Sequence, residues 1–205
     1  MNFDKLTFSK PVTQGDRYFI QIQNDGERVT KQFNRWMKCK TDLVKDKKQA
    51  TYVDILIPGT ETEVSPFIEY ASDLEEAMLK TTKEKKGEWF PDKEISDEWL
   101  DQAFQSGFKQ IKKSNDATMR FRVSKDLDVY TSEKEETTAE EIKDGVNIAI
   151  IALLDGLWFT KSRFGITWKV LQAKVKKESA PSRKYMFDDE AAPEPVLDNV
   201  FPDEI

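Results

Sequence analysis

Residues 145–177 read GVNIAIIALLDGLWFTKSRFGITWKVLQAKVKK, and this stretch carries the clearest signal for the fold. Residues 146–154 form a mostly apolar, β-branched run, which predicts a buried strand. Asp155-Gly156 has the composition of a tight turn. After an exposed bend at residues 160–163, residues 164–175 predict the last strand. This part of the chain is therefore expected to be β-structure.

Three further strands are predicted before residue 58. Residues 17–23 alternate apolar and polar side chains, which is the period of a strand with one polar face. Residues 29–40 predict a second strand that is rich in basic side chains. Residues 52–57 predict a third strand, which Pro58-Gly59 ends.

In the middle of the chain the apolar period becomes helical. Ser65-Pro66 combines a capping residue with a proline at the first helical position, which predicts the start of a helix. A second helix is expected from Ser96, with an apolar face that extends to Ile111. Strands are predicted again at residues 119–123 and 127–131.

This order of elements predicts a mainly β protein with a helical insertion at about residues 64–113. Short strands with both helices in a single insertion fit a small Greek-key barrel better than a βαβ fold, in which strands and helices alternate. We therefore expect residues 1–180 to form an OB-fold-like five-stranded barrel. Residues 181–205 are expected to form a disordered acidic tail, because Asp, Glu, Pro and Ala cannot build a core.

The composition excludes several kinds of active site. The chain has no histidine and a single cysteine, Cys39. Histidine-based catalysis, the usual zinc centres and intramolecular disulfides are therefore excluded, and we expect no enzyme activity, no cofactor and no metal. The first residues lack the apolar core of a secretory signal, and no apolar run is long enough to span a membrane. We expect an intracellular protein without membrane contact.

Charge is distributed unevenly along the chain. Residues 186–205 contain seven carboxylates and no Lys or Arg. The rest of the chain holds the other 31 of the 38 acidic residues and all 32 basic residues, so the net charge of −6 comes from the tail. Such asymmetry indicates a polyelectrolyte partner. The tail is also expected to compete with phosphates for the protein's own basic surface.

Residues 158–177 mix basic and aromatic side chains and contain no acid. Rings can stack on bases while cations contact phosphates, and neither contact requires a particular base. The alternative is that the rings are core and the lysines solvate an edge strand. Trp168 and Lys169 cannot both face DNA in a regular strand. The candidates are Trp158, Phe164 and Trp168 for stacking, and Lys161, Arg163 and Lys169 for phosphate contacts.

A second basic segment lies at residues 28–48. In a small barrel this strand and the last connection would line one groove. The alternative for the whole segment is a long charged β-hairpin in solvent. For Trp36 alone, the alternative is a place in the core. Arg120 and Arg122 would flank the groove on either side of Phe121, which is expected to be core. The candidates from the second segment are Arg35, Trp36, Lys38 and Lys40.

Residues 145–175 resemble the replicative single-stranded-DNA-binding proteins of podoviruses and of large eukaryotic DNA viruses, which have an OB fold. The likeness rests on a Gly that leads a buried strand, a Trp before a Gly-containing bend, and a Lys-Val-Leu-Gln strand at residues 169–172. The acidic end is a second point of likeness. That family's tail typically ends in an aromatic residue, whereas this chain ends in Phe201-Pro202-Asp203-Glu204-Ile205.

The resemblance implies a protein that coats single-stranded DNA during replication, repair and recombination. It also implies a tail that contacts polymerase or helicase. If the protein is viral, it would act at the site of viral DNA replication, in the cytoplasm or nucleus of the host. The sequence does not decide whether the protein forms a homodimer. The tail residues expected to contact partners are Asp188, Asp189, Glu190, Phe201, Asp203, Glu204 and Ile205.

Two other functions remain as alternatives. A protein-interaction or virion structural module could use the same amphipathic helices and acidic tail. A magnesium-dependent nuclease would need carboxylates near a lysine. Its candidates, which no characteristic spacing supports, are Asp54, Asp92, Lys93 and Glu94.

Overall fold

The computed structural model of the chain describes residues 3–45, 50–59, 65–111, 114 and 116–176. No described helix is both long and apolar enough to cross a bilayer. The helices are α1 (Ser65–Trp89) and α2 (Asp97–Ala103), with short 3-10 turns at Phe3–Lys5 and Ala139–Glu141. The described strands are β1 (Leu6–Phe8), β2 (Val12–Gln14), β3 (Arg17–Asn24), β4 (Thr30–Cys39), β5 (Val44–Lys45), β6 (Thr51–Ile57), β7 (Phe104–Gln105), β8 (Phe108–Gln110), β9 (Ala117–Thr131), β10 (Glu136–Thr137), β11 (Asn147–Phe159) and β12 (Phe164–Lys176).

Five of these strands close a barrel. Around the ring, β4 pairs with β6, β6 with β9, β9 with β12, β12 with β11, and β11 with β4 again. The β9–β12 pairing is parallel and the other four are antiparallel. The ring therefore visits its strands in the chain order first, second, third, fifth and fourth. This is the Greek-key barrel of an OB fold, which confirms the predicted fold class.

The other strands extend the barrel wall. β3 pairs with the last residues of β11, and β1 and β2 pair with the two ends of β3. β5 pairs with β6, and β8 and β10 pair with β9. β7 pairs with the start of β12. β3 and β7 therefore flank the turn at residues 160–163 that joins β11 to β12.

Helix α1 packs its apolar face on the barrel core. Phe67, Leu74 and Met78 recur at helical spacing and are buried. The Phe67 ring meets Phe33 edge-on at 4.5 Å and Trp168 at 5.6 Å between ring centroids. Each fully buried side chain of this size stabilises the fold by about 1.5–3 kcal/mol. The helical insertion is therefore an integral part of the barrel's core.

The second helix is shorter than predicted. α2 ends at Ala103, so Phe104 and Phe108 lie in β7 and β8 rather than on a helical face that reaches Ile111. The backbone becomes extended at Phe104 (φ −64°, ψ 129°), which pairs in parallel with Phe164 of β12. Pairing with the sheet therefore outweighs the local helical period.

Two strands are longer than predicted. β11 continues through Asp155-Gly156, with a β-bulge where a turn was expected. Glycine is required at position 156 because a Cβ there would lie 2.2 Å from the Ile20 carbonyl oxygen. The strands expected at residues 119–123 and 127–131 are one continuous strand, β9.

Cys39 lies in the core at the end of β4, and its thiol is free. Burial, together with the nearby Asp144 carboxylate, raises the pKa of the Cys39 thiol to about 12. The side chain is therefore protonated at neutral pH and packs as a small apolar residue.

Replacing Gly156 tests the close packing of β3 on β11. Gly156→Ala is expected to lower the free energy of unfolding by about 1–3 kcal/mol, because one of the two strands must shift. Gly87→Ala is the matched control, since no atom lies within 4 Å of a Cβ at that helical position. It should raise the free energy of unfolding by about 0.5–1 kcal/mol. Urea denaturation measures both, and equal stability of the two variants would contradict the packing.

Candidate nucleic-acid interface

Two of the three predicted stacking residues are core residues. Phe164 is fully buried, with its ring parallel to that of Phe159 at 5.0 Å between centroids. Trp168 is 3% exposed and packs edge-on against Phe67. Neither ring can present a face to a base, so the alternative interpretation is correct for both. Phe121 is buried, as expected.

The outer face of β12 carries lysines on both sides of a β-bulge. Trp168 points inward and Lys169 points outward, as the alternation of a strand requires. Opposite β11, Leu171 is one extra residue, because Val170 pairs with Ala152 and Gln172 pairs with Ile151. The pairing with β9 is interrupted at the same point, where four residues of β9 face Leu171. Inward and outward positions exchange at this point. The outward residues are Thr167, Lys169, Gln172, Lys174 and Lys176.

The two basic segments of the sequence meet at the far end of β12. Lys174 Nζ lies 6.0 Å from the centroid of the Trp36 ring, at the long end of the range for a cation–π contact. Lys38 and Lys176 pair with Asn147 from its two sides. Trp36 is half-buried and Lys38 is exposed. Two predicted residues of the second basic segment thus lie beside two lysines of the last strand.

The turn at residues 160–163 holds two exposed cations at the near end of β12. Lys161 and Arg163 are both solvent-exposed. Thr160 fixes the turn, because its Oγ1 donates to the Arg163 carbonyl oxygen at 2.9 Å and accepts from the Arg163 N–H at 3.1 Å. The two side chains therefore project from a defined turn beside the barrel.

Trp158 lies on the outer wall next to this turn. Two of its ring atoms are 3.2 and 3.4 Å from the position that a Cβ on Gly165 would occupy, so the indole covers that glycine. Trp158 is half-buried, and its partner across the β3–β11 pairing is Phe19. Phe19 pairs in turn with Val12, which is 55% exposed. An aromatic and apolar surface therefore adjoins the cations of the turn.

Acidic side chains engage the two candidate arginines of β9. Arg120 donates two hydrogen bonds to Asp54, from Nε to Oδ1 at 2.7 Å and from Nη2 to Oδ2 at 2.8 Å. These bonds raise the pKa of Arg120. Arg122 lies 3.9 Å from Asp155, which is also 3.6 Å from Arg28. Because a carboxylate occupies the donor fork of Arg120, that arginine is a weaker phosphate ligand than the sequence suggested.

The lysines of β12 and the 160–163 turn are electrostatically different from these arginines. Lys169 pairs with Arg122 across the parallel β9–β12 ladder. Within the part of the chain that the structure describes, no carboxylate pairs with Lys161, Arg163, Lys169 or Lys174. Cations without an acidic partner keep their full attraction for phosphates.

The other two candidates from the second basic segment lie at the surface. Arg35 is exposed in a part of β4 where the pairing with β11 is irregular. Lys40 directly follows β4, and its N–H donates to the Asp54 carbonyl oxygen at 2.8 Å. Its side chain is exposed. Neither residue belongs to the core.

Sequence reasoning missed four residues of this surface. Lys174 and Lys176 lie in the predicted basic segment, but their outward direction depends on the bulge, which simple alternation does not reveal. Phe19 becomes relevant only through its pairing with Trp158. Tyr130 becomes relevant through its pairing with Lys174.

Several other predicted residues do not contribute to this surface. Among the described residues, no group of three or more His, Cys, Asp and Glu side chains is placed to hold a metal ion. Asp54, a nuclease candidate, is engaged by Arg120, and Asp92 and Glu94 are exposed between α1 and α2. The expected partner-binding residues of the tail lie outside the described residues: Asp188, Asp189, Glu190, Phe201, Asp203, Glu204 and Ile205.

Comparison with known proteins gives one family and several structural neighbours. The model of the family described as "Family of unknown function (DUF5871)" matches residues 62–189. The bacteriophage T7 single-stranded DNA-binding protein gp2.5 has 11% identity and a TM-score of 0.51, over 79% of this chain and 98% of its own. No curated protein matches the sequence.

The single-stranded DNA-binding protein of bacteriophage Enc34 is a second neighbour. It has 16% identity and a TM-score of 0.49, over 89% of this chain and 96% of its own. The structure of its complex with single-stranded DNA has 16% identity and a TM-score of 0.48, over 84% of this chain and 97% of its own. At 11% identity, the likeness to gp2.5 establishes a shared fold and no more.

Trp168 and Lys169 provide a test of the inward and outward faces of β12. Trp168→Ala is expected to lower the free energy of unfolding by about 3–5 kcal/mol, because it removes a buried ring. Lys169→Ala should change it by no more than about 0.5 kcal/mol. Guanidinium chloride unfolding followed by circular dichroism measures both. A small effect of Trp168→Ala would contradict its place in the core.

Proposed function

The chain belongs to the DUF5871 family, a family of unknown function, and from its surface we propose that it binds single-stranded DNA without regard to base sequence. The observation that carries this proposal is the meeting of the two basic segments along the outer face of β12. There Lys174 approaches the Trp36 ring, and Lys38 and Lys176 flank Asn147. The protein would act by binding and not by catalysis.

The chemistry of this surface favours a single strand over a duplex. Half-buried rings such as Trp36 and Trp158 can stack on exposed bases, which a duplex keeps paired and stacked. The lysines supply contacts to phosphates that carry no sequence information. A surface of this composition therefore binds strands of any sequence, with an affinity that depends strongly on salt.

The shared fold also supports the proposal. The T7 protein gp2.5, which has the same fold, is a single-stranded DNA-binding protein. OB folds bind oligonucleotides through one face of the barrel and the loops beside it. The 160–163 turn joins the fourth and fifth strands of the barrel, and it is one of these loops.

The finer parts of the proposal rest on the sequence. We infer that the protein has a barrel domain of residues 1–180 and an acidic tail of residues 181–205. The barrel would coat replication intermediates inside the cell, and in repair and recombination it would protect the same kind of strand. The tail would contact polymerase or helicase and compete with DNA for the basic surface.

The interaction-module alternative uses the same surfaces differently. It predicts binding of a protein partner that added oligonucleotide does not affect. The nuclease alternative has lost support, because Asp54 forms a bidentate pair with Arg120 and is not free to bind a metal ion.

Fluorescence anisotropy with labelled oligo-dT tests the function directly. Binding is expected, with log K falling against log salt concentration by about 0.7 for each neutralised phosphate. A duplex of equal length should bind much more weakly. If neither the full chain nor a chain without residues 186–205 binds oligo-dT at low salt, the proposal is wrong.

Two double variants locate the phosphate contacts in the same assay. Lys161→Ala with Arg163→Ala should reduce the salt slope by about 1.4, because two contacts are lost. Lys80→Ala with Lys85→Ala, on helix α1, makes the same change in net charge outside β12 and the 160–163 turn and should leave the slope unchanged. Equal effects of the two pairs would point to bulk charge instead of a defined surface.

Removal of residues 186–205 tests the role of the tail. The deletion is expected to raise the affinity for oligo-dT, and to raise it more at low salt, because attraction between the tail and the basic surface is screened by salt. Replacing Asp188, Asp189 and Glu190 by Asn, Asn and Gln should give a smaller gain of the same sign. An affinity that is unchanged at both salt concentrations would rule out competition by the tail.

A further inference from the structure

A cleft of about 350 Å³ lies on the outer wall of the barrel, beyond the bulge of β12. Its floor consists of Ala149 and Ile151, which are outward residues of β11. Polar and aromatic side chains line its sides: Gln32 and Asn34 of β4, Gln172 and Lys174 of β12, Tyr130 of β9, and Lys134 in the turn after β9.

An irregularity in β4 makes room for this cleft. The pairings of Phe33 with Ile150 and of Met37 with Ile148 enclose three residues of β4 and one of β11. The extra residues must bulge out of the ladder. The enclosed residue of β11 is Ala149, whose methyl group leaves open space beneath the bulge. The cleft is therefore a product of the backbone as well as of side-chain packing.

The lining of the cleft combines the groups that a nucleotide needs. The amides of Gln32, Asn34 and Gln172 can each donate and accept hydrogen bonds, as the edge of a base requires. The apolar floor and the Tyr130 ring can contact the flat face of a base. Lys134 and Lys174 supply positive charge for a phosphate. A volume near 350 Å³ falls in the range of about 300–1,000 Å³ typical of small-ligand clefts.

We propose that this cleft holds one nucleotide of a bound single strand, with the base over Ala149 and Ile151 and the phosphate between Lys134 and Lys174. The inference rests on the proposed function and adds a second contact region to the 160–163 turn. The outer face of β12 joins the two regions, since Gly165 lies under Trp158 at one end and Lys174 lines the cleft at the other. The strand would therefore run lengthwise along β12.

A substitution at Lys134 can remove positive charge from the cleft without lowering the stability of the fold. Its backbone has a φ of 70°, a left-handed conformation that glycine adopts without strain and other residues adopt at a cost. Its N–H donates to the Thr131 carbonyl oxygen at 3.1 Å, and the Thr131 N–H donates to the Glu135 carbonyl oxygen at 2.8 Å. Lys134→Gly keeps this turn and removes only the long side chain and its charge.

The test compares variants of the full chain in the oligo-dT titration. Lys134→Gly should leave the Tm equal or higher and reduce the salt slope by about 0.7, which corresponds to one lost phosphate contact. Tyr130→Leu keeps an apolar side chain but removes the ring, and it should weaken binding by about 5- to 150-fold if the ring stacks on a base. Glu133→Gln, in the same turn, is the control. It removes a negative charge instead of a positive one, and should therefore strengthen binding.

The outcomes distinguish the cleft from the function. If Lys134→Gly and Tyr130→Leu both bind oligo-dT with the affinity and salt slope of the unmodified chain, the cleft is not occupied and the proposed function stands. If neither the unmodified chain nor the chain without residues 186–205 binds oligo-dT at low salt, both proposals are wrong. If Lys134→Gly lowers the salt slope while its Tm is maintained, the cleft is part of the binding surface.

Discussion

The β-bulge between Val170 and Gln172 determines which way every later residue of β12 faces. Strict alternation from Trp168 inward would direct Lys174 and Lys176 into the barrel and leave Ala173 outside. Burying an ammonium group without a partner costs several kcal/mol. One extra residue avoids this cost and keeps the apolar residues of both halves of the strand in the core. Because of this extra residue, Lys174 and Lys176 face outward like Lys169, and the proposed surface depends on this row of lysines.

Charge is partitioned between two parts of the outer wall. Asp54 of β6 binds Arg120 of β9, and Asp155 of β11 lies near both Arg28 and Arg122. On β12 and in the 160–163 turn, Lys161, Arg163, Lys169 and Lys174 have no carboxylate partner among the described residues. An incoming phosphate would have to displace a carboxylate from the first group but not from the second. The strongest attraction for a polyanion is therefore expected along β12, although arginine often forms the better single contact.

The sequence predicted the elements better than the contacts between them. Apolar runs located β3, β4, β6, β11 and β12, because burial imposes a period on the side chains whatever the partner strand. The predictions of a helix at Phe104 and of a turn at Asp155-Gly156 are wrong, because the conformation there depends on pairing with strands distant in sequence. For a related reason, the sequence does not decide whether Phe164 and Trp168 lie at the surface or in the core. An aromatic residue next to a lysine looks the same in sequence whether it points inward or outward.

The site could be predicted as a region but not as a set of side chains. That residues 28–48 and 158–177 approach each other follows from a barrel in which the first and the last two strands are neighbours. Which lysines share a face depends on bulges in β4 and β12, and single-residue irregularities have no reliable signature in one sequence.

The burial of Cys39 has a consequence for assembly and for oxidative damage. Oxidation and disulfide exchange proceed through the thiolate, and a pKa near 12 leaves almost none of it at neutral pH. The sulfur is also shielded by the surrounding barrel, so peroxide or glutathione would reach it only after local unfolding. Copies of the folded chain therefore cannot be cross-linked through their single cysteine, and any association between them must rest on reversible surface contacts.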